Sequence, residues 1–126
     1  MSSQPGNGVL KLALPSDPAL ALTARMFAGA LGDHLDGAVP ADLKLAFSEL
    51  LAAAVDAGED QVRFRVDLGR AEVEVRGVGR IDVEGGNHLG EDDRFVRKYR
   101  SDLLRALFPG LRDRDGVVVV PLRGSA

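Results

Sequence analysis

The sequence predicts an α+β domain in two layers, a mixed, mostly antiparallel sheet with helices on one of its faces. Three observations carry that expectation. Apolar residues recur at spacings of three and four over 41–57 and 92–107, the period of a helix with one buried side. Over 61–68 and 71–76 they alternate with charged residues, the period of a strand with one buried face. Both patterns sit in 126 residues and 13.4 kDa, enough for one hydrophobic core.

Taken in order, residues 1–8 are small and polar and are expected to fray, residues 124–126 to form a tail, and 9–123 to make the single domain. A short alternating run over 9–14 reads as a strand stopped by Pro15. Ser16-Asp17-Pro18 supplies a cap candidate and a proline for the first turn of a helix that runs to Gly32. GDHLDGAVP reads as a loop. The second helix spans 41–57, with Leu43, Phe47, Leu50 and Ala54 expected to face the sheet and Gly58 placed to cap its end. QVRFRVDL and AEVEVR form a hairpin with one dry and one charged face. Gly77-Val78-Gly79 breaks the second of these strands, and 84–90 reads as a flexible stretch. The third helix carries Phe95, Val96, Tyr99, Leu103, Leu104 and Leu107 on one side and stops at Pro109-Gly110. VVVVPL is apolar enough for a doubly covered strand, with Pro121 marking an end that lies at an edge.

Composition excludes several function classes. No stretch is apolar for long enough to span a bilayer and the first residues do not read as a leader, so a cytoplasmic location is expected. Without cysteine there is neither a disulfide framework nor a thiolate nucleophile. His34 and His88 are too few and too far apart for a zinc site, and both read as exposed loop residues. The lack of Trp and the single Tyr leave few platforms for stacking bases, which argues against nucleic acid as a partner. Charge is unevenly spread: residues 1–93 are net −8 and residues 94–126 net +5. Arg94, Arg97 and Arg100 on the third helix are therefore the candidate docking surface for an acidic protein, against the plainer reading of a solvated helix face.

DLKLAFSELLAAAVDAG, followed by two alternating strands and a Gly-x-Gly break, resembles the GHKL (Bergerat-type) ATPase superfamily, and within it the anti-sigma-factor serine kinases. Leu45-Ala46 and Glu49-Leu50 match that family's helix motif, in which Leu-Ala precedes Glu-Leu-x-x-Asn-Ala. The opening strand, the proline-rich entry and Arg25 in the first helix also look like that subfamily, so the resemblance covers roughly 9–123. It implies a GHKL-like sandwich in which Glu49 is the catalytic base, the residue at 53 holds magnesium, a carboxylate at 75 selects adenine, and Gly77 and Gly79 let the backbone approach the base.

Here the sequence departs from the pattern. Ala53 stands at the metal-binding amide and Val75 at the adenine-selecting carboxylate, and the glycines at 85, 86 and 90 lie among Glu84, Glu91, Asp92 and Asp93, which repel a triphosphate. Three nucleotide contacts are lost or inverted. The resemblance then implies a regulatory protein-binding module with no expected cofactor, its partner a sigma factor or an anti-sigma antagonist, and a homodimer among its assemblies. The alternatives are a working serine protein kinase using ATP and Mg2+ with Asp56, Asp82 or Glu84 as substitute ligands, and a generic interaction domain. Glu49 has the plainer reading of a surface carboxylate that is solvated or paired with a basic neighbour. Its neighbours a turn away, Leu45 and Ala53, are no partners, so any pairing has to come from an arginine elsewhere in the fold. Gly77 and Gly79 have the plainer reading of a turn at a strand end.

Overall fold

The computed structural model describes residues 8–79 and 91–122, the side chains of 91–94 excepted. The expectations placed on the fraying start, the stretch around 84–90 with Asp82, Glu84 and His88, and the tail lie outside the described residues.

The chain forms β1 (Val9–Pro15), a single 3-10 turn (Pro18–Leu20), α1 (Ala21–His34), α2 (Pro40–Asp56), β2 (Gln61–Asp67), β3 (Glu72–Arg76), α3 (Glu91–Leu107), β4 (Arg112–Arg114) and β5 (Val117–Pro121). Entry to α1 is through the predicted cap: the Asp17 carboxylate accepts from the Ala19 N–H at 2.9 Å, and Pro18 fills a position whose N–H has no helical partner. α1 continues past Gly32 to His34, which shortens the predicted loop to 35–39. Gly32 stays helical because it serves packing: a Cβ there would sit 2.9 Å from the Pro40 Cα at the start of α2.

The sheet has the order β1-β2-β3-β5-β4, and every neighbouring pair is antiparallel. This corrects the mixed sheet expected from sequence, and β4 is the reason. A strand, one helix and a strand bring the chain back parallel, but β4 takes that return pass and a hairpin then reverses β5 against β3. The hairpin turns at Asp115-Gly116, both at positive φ (53° and 80°), the geometry of a two-residue type I′ turn. Pro121 pairs with Glu72 on β3, while β4 reaches only Val119, so the proline lies where β5 has no neighbour on its other side, as expected.

One face of the sheet is dry. Val62, Phe64, Val66, Val73, Val75, Val118 and Val120 are buried in a single cluster with α1, α2 and the last turns of α3. Leu43, Phe47, Leu50 and Ala54 all point into it, as the three-and-four spacing requires. The Phe47 ring stacks on Phe64 with centroids 4.6 Å apart, joining the helical layer to the sheet.

α3 departs from its pattern. Its two apolar ridges sink progressively: Val96, Arg100 and Leu104 run from exposed to fully buried, and Phe95, Tyr99 and Leu103 from 73% exposed to half-buried. The C-terminal end of α3 therefore docks on the core while its N-terminal end carries exposed apolar side chains. Among the described residues no helix is long and apolar enough to cross a membrane.

Candidate functional site

The residues that the sequence singles out converge on the flank of α2, on the end of α3 that docks, and on the exit of β3. Glu49 projects from the middle of α2 and keeps 26% of its side chain exposed. Arg100 crosses from α3 and is 8% exposed. Its Nε donates to Glu49 Oε1 at 3.3 Å and its Nη2 to Asp56 Oδ2 at 2.8 Å. The arginine from elsewhere in the fold is thus Arg100.

Glu49 and Asp56 are two helical turns apart, a rise of about 10 Å. One small cation, which needs its oxygens at about 2 Å, suits that separation poorly. A guanidinium suits it well, because its donors lie on different edges of a rigid plane and the long side chain lets the carboxylates lean in from either side. The arrangement holds a helix against a helix. It sets a guanidinium against the carboxylate that the resemblance makes a base.

Ala53, one turn from Glu49, is buried, and its methyl offers no ligand. Val75 is fully buried on the dry face, between Phe64 of β2 and Val118 of β5. A valine there packs the core where the resemblance has a polar contact to a base. Gly77 leaves β3 at φ +85°, and a Cβ would collide with the Gln61 carbonyl oxygen. Gly79, at φ +66°, lies where a Cβ would be 2.9 Å from that of Ala57. Both glycines are thereby accounted for by the backbone path that tucks Val78 into the core.

Among the described residues, those at two of the positions the resemblance marks do not fit a magnesium nucleotide: the amide is a methyl and the adenine carboxylate is a core valine. Among the described residues no group of three or more His, Asp or Glu is placed to hold a metal ion.

The docking arginines separate. The Arg94 side chain lies outside the described residues, Arg97 is half-buried and engaged by a neighbour, and Arg100 faces inward. The inward turn of Arg100 had a signal in the sequence. It stands four residues from both Val96 and Leu104, on the ridge that the helical period assigns to the core. No protein-family model matches the chain, and comparison with curated proteins gives no significant match.

Proposed function

We propose that the chain is a regulatory protein-binding module similar to anti-sigma factors, acting in the cytoplasm on a sigma factor or an anti-sigma antagonist and without nucleotide chemistry. The observation that carries the reading is the Arg100 guanidinium bound to both Glu49 and Asp56. A scaffold that resembles an ATPase, and in which the carboxylate at the position of the base joins two helices through an arginine, retains surfaces and a packed core as its means of action. The GHKL-like assignment rests on the helix motif around Glu49 and on the predicted order of the helices and the central hairpin, which the α+β sandwich accommodates.

Calorimetry with ATP and Mg2+ tests the first half of the reading. The expected outcome is no heat of binding at micromolar protein, and micromolar affinity would restore the serine protein kinase. The second half is tested by binding of the purified chain to the sigma factors and anti-sigma antagonists of its own cell. At least one should bind; if none does, the chain is an interaction domain of another kind.

A further inference from the structure

Opposite its dry face, the sheet presents three rows of side chains that run across the strands. The first is Val9, Asp67, Glu72 and Pro121; the second Lys11, Arg65, Glu74, Val119 and Arg112; the third Ala13, Arg63, Arg76, Val117 and Arg114. Together they place six cations against three carboxylates, on a protein whose net charge is −3. The carboxylates are spent within the first two rows. Glu74 accepts from Arg65 at 3.2 Å, and Glu72 lies 3.9 Å from Arg70 and 3.6 Å from Arg112.

The third row holds no carboxylate of its own. Arg63 and Arg76 stand directly opposite each other on neighbouring antiparallel strands, where like charges repel. Arg63 is held by the neutral Gln61 amide, whose oxygen, turned to the guanidinium, accepts from it at 3.0 and 2.8 Å. Neither Arg76 nor Arg114 has an ion pair among the described residues. Glu59 and Asp60 line the same hollow as Arg63 and Arg76, at the turn before β2, without pairing with either. Arg63 and Arg76 are like charges at facing positions, and Arg76 and Arg114 are exposed, so their guanidinium groups are accessible to a partner.

We propose that this row docks an acidic helix of the protein partner, an inference that rests on the protein-binding reading and names its surface. Strands are about 4.8 Å apart, so Arg63, Arg76 and Arg114 lie at about 0, 5 and 14 Å along the row, with Val117 at about 10 Å. A helix rises about 1.5 Å per residue. Carboxylates at i, i+3 and i+10 meet the three arginines, an apolar residue at i+7 meets Val117, and all four positions fall on one side of the helix. Each guanidinium can take its carboxylate through two parallel hydrogen bonds. The face has no aromatic side chain, which leaves single-stranded nucleic acid without a stacking surface.

The test is fluorescence anisotropy with the full chain at low salt and three probes. They are a labelled helical peptide with Glu at i, i+3 and i+10 and Leu at i+7, an isomer of the same composition with its Glu residues spread around the helix, and a short DNA duplex. The matched peptide should bind at least tenfold tighter than the isomer and tighter than the duplex. Arg76→Glu should weaken it at least tenfold, and the equal charge change Arg25→Glu on α1 should not. Equal binding of the two peptides, an unmoved Arg76→Glu, or preference for the duplex overturns the proposal, the last in favour of a nucleic-acid surface. Arg63→Gln controls for folding: its melting temperature should hold or rise by about 1 °C, and a fall of several degrees marks the row as structural and also overturns the proposal. If the peptides fail while a sigma factor or antagonist binds, the surface is wrong and the regulatory reading stands. If the matched peptide binds and no such protein does, the reverse holds.

Discussion

Arg100 and the Arg63, Arg76 and Arg114 row are the same side chain in two opposite settings. Arg100 is buried between helices with two carboxylates to itself. The row is exposed, on the far side of the sheet, and makes no ion pair among the described residues, although Glu59 and Asp60 lie in the same hollow as two of its members. Thirteen of the sixteen basic residues are arginine, so residue type distinguishes nothing. What differs is solvation. A guanidinium taken out of water must be matched by charge and hydrogen bonds or it destabilises the fold, whereas an exposed one keeps its hydration and is available to a partner. The first setting belongs to stability and the second to recognition.

The largest expected effect is on the buried side. Arg100→Ala leaves two carboxylates facing each other across the vacated space and should cost about 2–3 kcal/mol of unfolding free energy, below the range for a fully buried pair because Asp56 is 52% exposed. Urea unfolding that moves the midpoint without changing the slope reads this directly. Arg100→Lys should cost about 1 kcal/mol, since one ammonium cannot serve both carboxylates through a rigid fork; equality with the wild type would reduce Arg100 to a mere counter-charge. Separating the two partners comes next. Glu49→Gln should lose about 1 kcal/mol and Asp56→Asn about half of that, because Glu49 is the less hydrated. The reverse order in calorimetric melting would make Asp56 the principal partner.

On the open face the sign changes. Arg76→Gln should stabilise the fold by about 0.3 kcal/mol, as it removes a like-charge pair across β2 and β3. The gain should shrink as sodium chloride is raised from 0.05 to 0.5 M, since exposed charges are screened, and the Arg100 variants should be almost insensitive to salt. A salt-independent gain would mean that repulsion is not its source.

Much of the local structure was legible. The caps at Asp17 and Gly58, the inward face of α2, the β2–β3 hairpin and the end of β5 at Pro121 follow from spacing and backbone chemistry within a few residues. Of the candidate site, the departure of Ala53 and Val75 from the pattern of the resemblance was readable, and so was the fact that any partner of Glu49 had to be a distant arginine. β4 was not, because RDR is three polar residues with no apolar alternation of its own, although the Asp115-Gly116 turn after it is a hairpin signal. Missing it turned an antiparallel sheet into a mixed one.

Periodicity, capping residues and turn chemistry act over four to seven neighbouring positions, and that range covers the existence and inner face of nearly every element here. Strand order and the depth to which each end of α3 sinks are not local in this sense, and the meeting of Arg100 with Glu49 and Asp56 and the alignment of three arginines from three strands join residues 13 to 51 positions apart. Contacts of that kind are set by how the two layers close on one core and by which charges can remain hydrated once they do, so they exist only in the folded chain.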